Sequence, residues 1–160
     1  MERVVQLLDE LPADITRINR LSASLATGKD RFDSLDGLAR ELRAEGFYVA
    51  SNRYFARAIR AREAARSSDA RVAILVEMGR NHLDLRAFED AARTFDQAIR
   101  EKPGGRLEPD AMLGSARALI ALGKTEQAKR TLEALVTRHK ESSAATEAAR
   151  LLAGGSETAR

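Results

Sequence analysis

Two nine-residue stretches constrain this chain more than anything else in it. Residues 54–62 read YFARAIRAR, and forty positions on residues 94–102 read TFDQAIREK. Phe55 falls on Phe95, Ala58 on Ala98 and Ile59 on Ile99. Walking back, Ser51 falls on Ala91, Tyr48 on Phe88, Leu42 on His82, Ala39 on Gly79, Leu38 on Met78 and Leu35 on Leu75. A third copy follows: Met112, Ser115, Ala116, Leu119, Gly123, Thr125, Ala128, Leu132 and Leu135. Self-similarity at a period of roughly 20–50 residues points to stacked repeats.

The pattern inside each copy is helical. Large apolar residues recur at three- and four-residue steps, the spacing of one helix face. Small residues (Ala39, Ser51 and Ala58, then Gly79, Ala91 and Ala98, then Ala116 and Ala128) stand where two helices approach closely. Gly46 and Gly123 mark a turn between helices, because glycine accepts a positive φ at a helix C-terminus. The matching place in the second copy holds Arg86. Pro103 closes the second copy, where a helix should stop.

This arrangement resembles the tetratricopeptide repeat family, with its helix pair of about 34 residues. The copies are 32–65, 72–105 and 109–142, the second being the best and the third the weakest. The resemblance implies an all-α fold: a right-handed superhelix, or α-solenoid, of three helix pairs. Copies starting at 32, 72 and 109 are 40 and 37 residues apart. The surplus should lengthen helices or turns near RSSDAR (66–71) and GGRLEP (104–109). The third copy with its flank also looks like the C-terminal repeats of bacterial envelope-assembly proteins of the Tol–Pal coordinator type.

Stacked arrays need capped ends. Residues 143–153 suit a C-terminal capping helix, with Ser143 as N-cap and Ala144, Ala148, Leu151 and Leu152 on one face. Residues 154–160 read as a disordered tail. At the other end, residues 1–31 form a helical segment. Pro12 divides it into helices at about 2–11 and 13–27, because proline suits a first helical turn and not an interior. The rhythm of Val4, Leu8, Leu11, Ile15, Ile18 and Leu25 also allows residues 1–27 to self-associate as a coiled coil, giving a homo-oligomer.

Several chemistries fall away. The chain has no Cys, so no disulfide framework, thiolate metal site or Cys nucleophile is available. No phosphate loop, metalloprotease or serine-hydrolase motif occurs; the GKTEQ at 123–127 is a turn without a P-loop's first glycine or preceding strand. Asp33/Asp36 and Glu89/Asp90 lie at or near helix starts, where acids complement the dipole. His82 belongs to the core stripe and His139 to a helix end, so neither suggests a metal pair. A non-enzymatic chain without cofactor or metal is expected. It has no membrane span and no visible export signal, which makes the cytoplasm the default compartment.

What remains is binding. The family resemblance implies that the first helix of each pair lines a concave groove, at its second, fifth, ninth, twelfth and thirteenth positions. The ninth positions are Arg40, Arg80 and Arg117. Val76, Leu83, Leu113 and Ile120 form an apolar strip beside them, expected to face solvent until a partner covers it. An acidic and apolar peptide or helix of a partner protein is the implied ligand. The arginines could instead pair internally, with Asp36, Glu77 or Asp84. The Lys–Asn carboxylate clamp of chaperone cofactors with this fold is not present as a set, since those positions include Asp36, Arg40, Glu77, Asp110 and Gly114. A second basic feature is the helix 53–66, with Arg53, Arg57, Arg60, Arg62 and Arg66. Nucleic acid or anionic lipid is its functional reading, and a solvated convex face the plainer one.

Overall fold

The computed structural model describes residues 32–60 and 67–157, with side chains for 35–60 and 67–154. These residues form seven helices: α1 Phe32–Ala44, α2 Tyr48–Arg60, α3 Ser68–Asp84, α4 Phe88–Glu101, α5 Glu108–Ala121, α6 Thr125–Arg138 and α7 Ser143–Glu157. Among the described residues there is no strand. The expected N-terminal helices and the end of the first copy, 61–65, lie outside them. The described residues fall into two compact units, one within Met1–Ala65 and one within Arg66–Arg160.

The first unit is the pair α1–α2. Leu35, Leu38, Ala39 and Leu42 on α1 and Ser51, Phe55 and Ala58 on α2 are buried. Burying a side chain such as Phe55 contributes about 1.5–3 kcal/mol. The close approach that Ala39 and Ser51 permit has a polar consequence: the Ser51 hydroxyl donates to the Ala39 carbonyl at 2.7 Å.

The second unit continues the pattern. Helix α3 packs on α4, α4 on α5, α5 on α6 and α6 on α7, with α3 also meeting α5 and α5 meeting α7. Phe95 lies between Gly79 of α3 and Gly114 of α5, where a Cβ on either glycine would come within 3 Å of its ring. The far end is one apolar cluster of Met112, Leu113, Ala116, Leu132, Leu135, Ala144, Ala145 and Ala148, with Leu151 and Leu152 packed against it.

The turns follow the register. Gly46 and Gly123 have φ of 80° and 71°, and Arg86 takes the same left-handed conformation at 58°. The surplus residues went to both expected places. Helix α3 begins at Ser68, with the Ser67 side chain accepting from the Ala70 amide at 3.3 Å. Residues 102–107 form a longer connection through Gly104, at φ 72°.

Two boundaries at the C-terminus differ from expectation. The cap of α7 is Ser142, whose Oγ accepts from the Ala145 amide at 3.0 Å, and not Ser143. A serine caps only from just outside the helix, and Ser143 already has helical geometry. The helix also runs to Glu157, past the expected end at 153. No proline follows Ala153 to break the hydrogen-bond ladder, and glycine weakens a helix by only about 1 kcal/mol.

Candidate functional site

The three ninth-position arginines are half-exposed, and each already has a carboxylate. On the first unit, Arg40 Nε lies 2.9 Å from Asp36 Oδ2, one helical turn away. Its guanidinium also stands 5.9 Å from the centre of the Phe55 ring. On the second unit, Arg80 contacts Glu77 at 2.8 Å and Asp110 of the next first-of-pair helix at 3.4 Å. Arg117 contacts Glu147 of α7 at 2.5 Å. The internal pairing named for Asp36 and Glu77 is what the structure shows. Asp110 and Glu147 add something new: the ninth-position arginine of one copy reaches an acid thirty residues on. The acid on α7 places that helix as the first helix of a further pair would be placed.

The expected open apolar strip is not formed as a unit. Val76 is 2% exposed and Leu113 is 8% exposed, whereas Ile120 is 45% exposed and Leu83 half-buried. Leu113 is covered because it joins the cluster beneath α7. Val76 sits among Val72, Ile74 and Leu75, all buried, so the first half of α3 is enclosed on more than one side. Leu83 and Ile120 stand near the ends of α3 and α5, where that enclosure stops.

Sequence reasoning missed the most polar interior feature. Glu108, at the start of α5, is 2% exposed. Its Oε1 accepts from Arg138 at 3.1 Å, and its Oε2 accepts the Gly104 amide at 3.0 Å and meets His139 Nε2 at 2.9 Å. A buried carboxylate needs such compensation. The arrangement ties the 102–107 connection to the C-terminal end of α6, so it is structural. The thirty-residue offset between Glu108 and Arg138 repeats that of Arg71–Glu101, Arg80–Asp110 and Arg117–Glu147, which was the available signal.

His82 is half-buried in α3, and burial lowers its pKa; Asp90 opposes this and Arg93 adds to it. Among the described residues no group of His, Asp and Glu could hold a metal ion. No helix of the described residues is long and apolar enough to cross a membrane.

Helix pairs with small residues at their contacts, left-handed turns and charged rungs between successive pairs define a helical-repeat protein. Comparison with known proteins narrows the kind of repeat. Residues 82–153 match the tetratricopeptide repeat family model. Among solved structures the chain is similar to the nearly identical TPR-like repeats assigned to a kinesin light chain of Podosopora anserina. That likeness has a TM-score of 0.63 and 18% identity, and covers 95% of this chain and 72% of the other. No curated protein matches the sequence. Residues 82–153 are thus similar to tetratricopeptide repeats, and the chain has the all-α fold of such repeats. Neither match extends to envelope-assembly proteins.

Proposed function

We propose that this chain is a non-enzymatic interaction module that binds a peptide or helix of a partner protein through its first-of-pair helices. The tetratricopeptide fold generally serves protein–protein interaction. One observation carries the finer reading. Arg80 and Arg117 are held half-exposed by carboxylates on the next first-of-pair helix, with Leu83 beside the one and exposed Ile120 beside the other.

The internal pairs do not disable these arginines. Exposed ion pairs contribute only about 0–1 kcal/mol. A guanidinium has five N–H donors, so a partner carboxylate can share or replace the internal one. The pairs do lower the net positive charge, so the ligand suited to the site is more apolar and less acidic than unpaired arginines would select. Arg40 occupies the equivalent position of the first unit. Val76 and Leu113, being buried, contribute to the shape beneath the site and not to its contact surface.

Site-specific photo-crosslinking tests this. A photoreactive phenylalanine at position 120 should capture a partner from the source cell, and one at position 137, on the exposed side of α6, should not. Arg80→Ala/Arg117→Ala should abolish the capture while leaving the helical content unchanged. Equal capture from both positions would refute the reading.

A further inference from the structure

Helix α2 breaks a rule that its counterparts keep. Its outward stripe is Val49, Arg53, Arg57 and Arg60, at steps of four, four and three. The matching stripes are Glu89, Arg93, Gln97 and Arg100 on α4, and Glu126, Arg130, Ala134 and Thr137 on α6. Both counterparts place a glutamate in the first turn, where it stabilises the positive end of the helix dipole. Helix α2 has no acid in its first turn and none anywhere in its thirteen residues. The favourable glutamate is replaced by a valine that is 58% exposed, and Phe47 just before it is 47% exposed. A locally unfavourable choice repeated in neighbouring side chains marks a site where function overrides stability.

The charges are also set out for use. Arg53, Arg57 and Arg60 are exposed. Among the described residues Arg53 and Arg60 make no ion pair, whereas Arg93 at the equivalent place on α4 is bonded to Asp90. The Arg57 guanidinium lies 5.5 Å from the centre of the Tyr54 ring, which holds it along the helix. The stripe spans about 16 Å at 1.5 Å per residue. Planar guanidinium groups bind phosphate oxygens in pairs.

We infer that the outward stripe of α2 docks on the surface of a bilayer bearing anionic phosphate headgroups. Arg53, Arg57 and Arg60 bind the headgroups, and Val49 and Phe47 enter the boundary below them. The apolar pair selects this occupant over a nucleic acid. A phosphate backbone gains nothing from two exposed apolar side chains, whereas a bilayer takes them up favourably. The opposite face of α2, with Ser51, Phe55 and Ala58, is buried in its own unit. The helix therefore lies against the surface without inserting.

Vesicle sedimentation of the full chain tests this. Vesicles of phosphatidylcholine alone are compared with vesicles containing about one-third phosphatidylserine, at low and high salt, with a 20-base-pair DNA duplex tested in parallel. Wild type should sediment with the anionic vesicles only, and less at high salt. Arg53→Gln/Arg60→Gln should lower the partition coefficient about thirty-fold, from the usual gain per basic residue at such a surface. Val49→Ser should lower it several-fold and leave any binding to the duplex unchanged. Circular dichroism checks the fold, and should the double variant unfold, the Val49→Ser result alone decides. The proposal is overturned if wild type ignores anionic vesicles, if the variants partition like wild type, or if the duplex binds more tightly than the vesicles.

Discussion

The ring of Phe95 rests on the backbone of Gly114 so closely that a Cβ at that position would stand 2.4 Å from its Cζ. Gly79 on the other side would bring a Cβ to 2.7 Å. Gly→Ala in a helix normally gains about 1 kcal/mol in propensity. Here overpacking opposes it by about 1–3 kcal/mol, and the ring is too enclosed to swing away. Gly79→Ala and Gly114→Ala should each lower the urea midpoint, with Gly114→Ala the worse. Adding Phe95→Leu should cost less in the Gly114→Ala background than in wild type. Gly37→Ala is the control: nothing lies within 4 Å of its would-be Cβ, so it should be stabilising by about 0.5–1 kcal/mol.

Arg86 adopts a backbone conformation that its register-mates assign to glycine. A non-glycine residue there costs about 1–2 kcal/mol, and a glycine's extra freedom in the unfolded chain takes back about half of that. Arg86→Gly should therefore raise the melting temperature by a few degrees. Gly123→Ala should lower it. Calorimetry on the two variants checks both signs.

These turns show how far the sequence could be read. Aligning the copies placed Arg86 opposite Gly46 and Gly123 without any coordinates, because a left-handed turn is a local property. Periodicity likewise placed Phe55, Phe95 and the small residues beneath them. It failed at Val76 and Leu113 for a definite reason. A pattern tells which side of a helix is apolar, but not what other helix will lie over it. Glu108 failed differently: an acid beside Pro109 reads as an ordinary helix start, and only its partners thirty residues away reveal burial.

Removing the Glu108 carboxylate leaves Arg138, His139 and the Gly104 amide without their acceptor. Glu108→Ala should cost about 1–3 kcal/mol, the range for leaving buried donors without their acceptor. Arg138→Ala should also destabilise, by about 1–3 kcal/mol, because it takes the cationic donor from the buried Glu108 carboxylate and leaves only the Gly104 amide and His139. Hydrogen exchange should show amides of 102–107 opening faster in Glu108→Ala.

His82 gives the fold a pH dependence of known sign. Its folded pKa lies below the ordinary value of about 6.5 because burial disfavours the charged ring. Well above that value the ring is neutral in both states and shifts nothing. As the pH falls from about 6.5 toward the lowered folded value, the unfolded chain takes up the proton first, and stability is lost. His82→Gln should therefore show a smaller drop in urea midpoint between pH 7.5 and pH 5.5 than wild type.

Helix α7 covers the outer side of α5 and α6. By laying Ala144, Ala145 and Ala148 over Met112 and Leu113, and Glu147 beside Arg117, it fills the side on which another pair would dock. A chain cut before Ser143 would present that side, apolar and cationic, to the next molecule. A head-to-tail contact through that side would build a ring if its rotation closes and a filament if it does not. Among the described residues, keeping that apolar and cationic side covered is therefore what α7 adds to the fold.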